Sequence, residues 1–291
     1  MTKILIIGKE GQLGSSFHKL APEYPECCIS FSTIDQMDLT DASSIKKFFA
    51  DKTYNFIVNC AAYTAVDKAE EEPDLAYRLN AEAPALIAQE AARIKAFFIH
   101  ISTDYVFDGK HYHPLSPNDH PNPVSVYGKS KLQGEKDVIR IHPESMIIRT
   151  SWLYSIYGKN FLKTMLRLGK ENKSIKVVFD QIGTPTFAED LASSILAIIH
   201  KISAGQKKPV PGIFHYSNEG VCSWYDFAQS IFRTAQIMCN VIPVTSEQFP
   251  TKAQRPFYSV LDKSRIKQTY SIIIPHWYDS MIRCLKELNT I

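Results

Sequence analysis

A nearly continuous apolar run, Lys3 to Ile7, leads directly into Gly8-Lys9-Glu10-Gly11-Gln12-Leu13-Gly14, and helical spacing follows from Gln12 to Leu20. A short apolar run without alternation fits a strand buried on both faces, as in a parallel sheet. The glycines after it fit a phosphate-binding turn. Gly8 permits the tight turn, Gly11 lets a pyrophosphate approach the backbone, and Gly14 allows helix and strand to pack closely. Free amides and the helix dipole at that end favour an anion. Three glycines near a turn can also serve structure alone; their place directly after a buried N-terminal strand favours the phosphate reading.

The same alternation continues. Strands are expected at Cys27 to Phe31, Phe56 to Asn59, Ala96 to Ile101 and Met146 to Arg149. Helices are expected at Asp41 to Phe49, Ala81 to Ile94 and Val126 to Ile141, with Pro84 tolerated in the first turn of its helix. This predicts an α/β fold, a Rossmann-type doubly wound parallel sheet with right-handed crossovers. The second half is less regular. Helices are expected at Phe161 to Leu168, Asp190 to Ile202, Ser223 to Ala235 and Tyr278 to Leu288, and a strand at Ile213 to Tyr216. The reading is a dinucleotide-binding domain over 1–150, to which parts of 187–216 return, and a smaller substrate-binding lobe over 151–291.

Composition removes several classes. The net charge is +3 and the basic residues are scattered, unlike the one-sided charge of nucleic-acid binders. No apolar run is long enough to span a bilayer. Only Met1, Thr2 and Lys3 precede the first strand, which leaves no room for a signal peptide, so a cytoplasmic location is expected. The six cysteines form no C-x-x-C pair and read as reduced thiols. His111, His113 and His120 share a loop without a tight Cys/His grouping, so no metal site is expected. That loop, Asp108 to Ser125, carries four prolines. It reads either as a binding loop or lid, or as a surface excursion stiffened by proline.

Three further segments bear chemistry. Ile29 to Thr33, where such folds read the cofactor's ribose, offers hydroxyls and no acid; a 2′-phosphate meets no repulsion there, and no arginine attracts it. Ser102-Thr103-Asp104 lies just beyond the fourth strand. Tyr127 and Lys131 are four apart and share a helix face. A tyrosine beside an ammonium has its pKa lowered and can protonate a carbonyl oxygen as hydride arrives. Tyr-x-x-x-Lys is common by chance, and alone it reads as an amphipathic helix with an exposed lysine. Together with the glycine turn and Thr103, it places three functional points at the carboxyl ends of parallel strands.

These segments resemble the extended short-chain dehydrogenase/reductases, and most closely the dTDP-4-dehydrorhamnose reductase family, over essentially the whole chain. The resemblance is carried by the glycine turn, Asn59 to Glu70, Ser102 to Phe107, Tyr127 to Lys131, Arg149 to Tyr154, Asn160-Phe161, Gly183 to Thr186 and Arg255-Pro256. It implies that Thr103, Tyr127 and Lys131 form the catalytic triad. It implies that Gly8, Gly11, Gln12 and Leu13 hold the cofactor pyrophosphate, that Asp38 and Leu39 meet adenine, and that Ala61, Ala62 and Tyr63 line the cofactor groove with Tyr127 and Lys131. Thr103, Asp104, Trp152 and Arg255 are implied to contact the sugar nucleotide.

The activity implied is NADPH-dependent reduction, with NADH also accepted, of the C4 keto group of dTDP-4-dehydro-L-rhamnose, a step towards cell-surface polysaccharide. Some members hold magnesium at a dimer interface through an acid early in the first helix. Here that stretch is Ser15-Ser16-Phe17, so a monomer or weak homodimer without metal is expected. Two other readings compete. A sugar-nucleotide dehydratase or epimerase shares the scaffold, but dehydratases place Glu after the Asp, and Asp104 is followed by Tyr105. A non-catalytic regulatory subunit resembling that of methionine adenosyltransferase would need neither Tyr127 nor Lys131.

Overall fold

The computed structural model describes all 291 residues. Five strands of the first half are β1 (Thr2–Ile7), β2 (Cys27–Ser32), β3 (Phe56–Asn59), β4 (Phe97–Thr103) and β5 (Met146–Thr150). The second half adds β6 (Leu153–Tyr154), β7 (Ser174–Val178), β8 (Ile182–Gly183), β9 (Thr186–Phe187), β10 (Gly212–His215), β11 (Cys222–Ser223) and β12 (Asn240–Val244). Six strands form one parallel sheet in the order β10-β5-β4-β3-β1-β2. The order reverses at β1, and Ile7 pairs with Asn59 of β3 there. Both strands therefore open on one crevice, where open α/β sheets take ligands.

Both faces of the sheet are covered, which is why its strands read as unbroken apolar runs. Helix α1 (Gln12–Leu20) packs on one face. The other carries α2 (Ala42–Phe49), which Asp41 caps by accepting from Ser43 N–H. Two short helices follow, α3 (Val66–Ala69) and α4 (Pro73–Tyr77), and then α5 (Ala83–Arg93) and α6 (Val126–Ile141). Ile4 and Ile6 face α1, while Leu5 and Ile7 face α2 and α5, as the two-residue period of a strand requires. The remaining helices are α7 (Phe161–Glu171), α8 (Ala188–Ser203), α9 (Trp224–Thr234), α10 (Ser264–Tyr270) and α11 (Trp277–Glu287). Helices α8 and α10 join α1 on its face, so the sheet's core reaches past the expected returning segment to Ile274. A separate core holds α7, α9 and α11 with β7 and β12.

Some elements differ from the sequence reading. The helix expected from Ala81 begins earlier. Helix α4 runs into a wide π turn, Arg78–Glu82, and then into α5. The wide turn accommodates Pro84, which has no N–H to give. It also turns buried Asn80 inward, where its side chain accepts from Tyr63 N–H and donates to the Tyr63 carbonyl and Ser130 Oγ. The parallel pair β7–β12 and helix α10 lie outside the elements expected. Each is short; Pro243 interrupts the pattern of β12, and α10 buries only Ile266 and Tyr270.

Candidate active site

A cavity of about 1120 Å³ opens at the carboxyl ends of β1, β3, β4 and β5 and extends across the second core. Its floor is the glycine turn. Gly8 has φ +90°, and a Cβ there would sit 2.9 Å from Ala61 N. A Cβ on Gly14 would collide with the Gly8 carbonyl, whereas one on Gly11 would meet only that carbonyl at 3.4 Å. Gly14 therefore serves packing, and Gly11 leaves the backbone approachable. Helix α1 starts at this point without a side-chain cap and without an acid in its first turn. Its unpaired N–H groups and positive end suit a pyrophosphate.

Gln12 reaches beyond the turn. Its Oε1 accepts from Ser155 Oγ at 3.1 Å and Asn160 Nδ2 at 2.9 Å, tying the phosphate turn to the second half of the chain. Leu13, Asp38, Leu39, Ala61 and Ala62 also line the cavity. Asp38 is held in its own turn by the N–H and hydroxyl of Thr40. Tyr63 lies outside the lining; its phenol donates to Glu72 at 2.6 Å. No acid follows β2 among the lining residues Ser32, Thr33 and Ile34.

The residues expected to react come from β4 and α6. Thr103 ends β4, and its hydroxyl donates to Asp104 Oδ1 at 3.1 Å. Ser125 caps α6 by accepting from Gly128 N–H. Gly128 fits only because it lacks a side chain, since a Cβ would strike the Tyr105 carbonyl. This contact sets the start of α6 against the segment after β4 and brings Tyr127 over Thr103. Burial pushes the Tyr127 phenol up to about 12, with Asp104 adding to the rise and the Thr103 hydroxyl pulling it partly back.

The expected depression of that phenol by Lys131 is not what the arrangement produces. Lys131 Nζ is drawn inward, donating to the Ile101 carbonyl at 2.7 Å and lying 3.4 Å from His100 Nε2. Burial lowers the lysine to about 8, against the charge of Glu135, which holds it up. Tyr127 thus stays protonated at neutral pH, as a proton donor must.

Asp104 is buried, and its Oδ2 has no partner. Burial raises its carboxyl to about 6, against the pull of the Thr103 hydroxyl that donates to its Oδ1. A buried acceptor facing a cavity is suited to a ligand hydroxyl. Trp152 adopts φ +47°, rare for a residue with a bulky side chain. Its ring stacks on Trp224, 3.6 Å away and 8° from parallel. Gly183 leaves room for it, since a Cβ there would lie 2.7 Å from the indole.

Arg255 lines the cavity, but its fork is already paired with Asp67, at 2.7 and 3.3 Å. Sequence reasoning missed Trp224, Asn80 and His100. Trp224 follows a helix cap and reads as an ordinary helical aromatic. Asn80 and His100 lie in segments that read as plain helix and strand.

No residue from 108 to 125 lines the cavity. The proline loop is pinned instead through Leu115, which pairs with Val260 and Leu261 and accepts from His215. In α1 the Ser15 and Ser16 hydroxyls turn back to the Lys9 and Gln12 carbonyls, and Lys19 bridges Glu189 and Glu287 at 2.6 Å each.

A family model described as the RmlD substrate binding domain matches residues 1–290. A dTDP-4-dehydrorhamnose reductase of Aggregatibacter actinomycetemcomitans is 40% identical, over 99% of both chains. The chain belongs to the dTDP-4-dehydrorhamnose reductase family. The chain is also similar to the spore coat polysaccharide biosynthesis protein SpsK of Bacillus subtilis, 38% identical over 100% of this chain and 99% of that one. Among solved structures, the Bacillus anthracis dTDP-4-dehydrorhamnose reductase in complex with NADP is 39% identical. It superposes with a TM-score of 0.92, covering 99% of this chain and 100% of that one. One cavity joins the glycine turn to Thr103, Tyr127 and Lys131.

Proposed function

We propose that this protein reduces the C4 keto group of dTDP-4-dehydro-L-rhamnose to dTDP-L-rhamnose, using NADPH and accepting NADH. The observation that carries the reading is convergence. The glycine turn, Thr103, Tyr127 and Lys131 line one cavity at the switch point of a parallel sheet, in a chain 40% identical to a named reductase.

When bound, the nicotinamide supplies hydride to the sugar carbon. Gly8, Gly11, Gln12 and Leu13 hold the pyrophosphate, Asp38 and Leu39 meet the adenine end, and Ala61 and Ala62 flank the groove. Thr103 hydrogen-bonds the keto oxygen and orients it. Tyr127 gives that oxygen its phenolic proton. Lys131 holds the nicotinamide ribose. Asp104 accepts from a sugar hydroxyl through its unpartnered oxygen, and Trp152, backed by Trp224, covers the ring. Arg255 serves the diphosphate side while clasped to Asp67.

The chain divides into the dinucleotide-binding sheet with its helices and a sugar-nucleotide lobe centred on α7, α9 and α11. It works in the cytoplasm as a monomer or weak homodimer, without nucleic acid or membrane. No helix is long and apolar enough to cross a membrane. The product feeds surface polysaccharide, as the name of the SpsK relative suggests. The dehydratase reading lacks a second carboxyl beside Asp104, where Tyr105 packs edge-on against Tyr127. The test is NADPH oxidation with the purified keto sugar nucleotide. Oxidation matched by dTDP-L-rhamnose formation is expected, and its absence with intact NADPH binding would refute the proposal.

A further inference from the structure

The reaction scheme leaves one buried titratable group without a task. His100 on β4 is fully buried and lies between Asn59 and Lys131. Its hydrogen-bond directions follow from a chain that starts at the backbone. Ala61 N–H donates to Asn59 Oδ1 at 3.1 Å, which fixes the amide. The Asn59 nitrogen, a donor only, then faces His100 Nδ1 at 3.2 Å, so Nδ1 must accept. A neutral imidazole that accepts at Nδ1 carries its proton on Nε2. That N–H faces Lys131 Nζ, and an ammonium has no lone pair to receive it. An uncharged amine does, while still donating its own N–H to the Ile101 carbonyl.

We propose that His100 is a positioning residue for Lys131: anchored through Asn59, it presents Nε2–H to Nζ, fixes where the amine sits, and favours the amine over the ammonium. The groups around the lysine leave this bias in force. Glu135, four residues along α6, favours the ammonium by charge, but its oxygens are engaged by Arg149 and Ser102. Burial keeps the Cys60 thiol at the end of β3 protonated. Tyr127, four residues back on the same helix, is a neutral phenol. Burial and the nearby lysine hold His100 itself uncharged.

The proposal rests on the assigned role of Lys131 at the cofactor ribose, so its test reads cofactor binding and not turnover. NADPH affinity is measured by fluorescence from neutral to alkaline pH. Affinity in the parent should fall as Lys131 loses its proton, and Lys131→Met should remove that fall. His100→Gln offers an amide oxygen that can accept from the ammonium. The charged lysine should then persist to higher pH, moving the midpoint up by about half a unit, roughly a threefold change in proton affinity.

Asn59→Leu is close in volume, adds no charge and removes the donor that holds Nδ1 unprotonated, so the imidazole can carry its proton there and accept at Nε2. It should move the midpoint the same way and serves where His100→Gln does not fold. A purely structural role for His100 would weaken binding at every pH and leave the midpoint in place. An unmoved or lowered midpoint in a folded variant, or no alkaline fall in the parent, would overturn the proposal. A parent with the expected pH dependence that reduces no keto sugar nucleotide would instead sink the reductase reading and leave this one standing.

Discussion

At the scale of single residues, the proposed reaction asks most of Tyr127. Tyr127→Phe removes only the hydroxyl and should fold and bind NADPH, while turnover falls by about 10²–10⁴-fold, the usual contribution of general acid catalysis. Lys131→Met should lower turnover and weaken NADPH binding as well. Cofactor titration beside rate measurement separates the two; near-normal turnover in Tyr127→Phe would remove it as the acid. Asp104 should set an acid limb. Its carboxyl, raised to about 6, is neutral below that pH and charged above it. A carboxylate accepts a sugar hydroxyl better than the acid does, so kcat/KM should fall as pH drops through about 6. Asp104→Asn should lower kcat/KM and flatten this limb, and an unchanged limb would assign it to another group.

Between residue and molecule, elements decide whether the site assembles. Helix α9 contributes Trp224, whose ring backs Trp152 in a strained backbone conformation. Trp224→Ala should raise KM for the sugar nucleotide several-fold and leave NADPH affinity unchanged, as steady-state kinetics and cofactor titration can separate. Equal weakening of both ligands would mean that the stack serves folding. The main strands and helices were legible in the sequence because each buries a long apolar face. Strand β1, buried on both sides, reads as an unbroken run, and α6 starts and stops where Ser125 and His142 place it. The wide turn at Arg78–Glu82, the pair β7–β12 and helix α10 were not legible, since their geometry depends on distant partners and little local pattern marks them. The same holds within the site. The glycine turn, Thr103, Tyr127 and Lys131 stand in recognisable spacings, whereas the link from His100 to Lys131 exists only once β4 and α6 are packed together. The pairing of Arg255 with Asp67 likewise joins residues 188 positions apart.

The molecule as a whole ties the six-stranded sheet to the second core through Gln12, the Asp67–Arg255 pair and Lys19. Because the end of β2 supplies no acid, NADPH should be preferred over NADH by a modest factor; comparing kcat/KM for the two tests this, and a hundredfold preference for NADH would contradict it. Lys19 pairs with Glu189 and Glu287 beside α1, so EDTA should change neither rate nor sedimentation. Joint loss of activity and of a dimer would overturn that expectation. The central claim is that this cavity couples a bound nicotinamide to a keto sugar nucleotide. Its most direct test is to mix the protein with NADPH and dTDP-4-dehydro-L-rhamnose and follow both cofactor and sugar product through a single turnover. One dTDP-L-rhamnose formed per NADPH oxidised, abolished in Tyr127→Phe, is the predicted result. NADPH bound firmly but never oxidised by any keto sugar nucleotide, with a large partner protein copurifying, would contradict it in favour of a regulatory subunit.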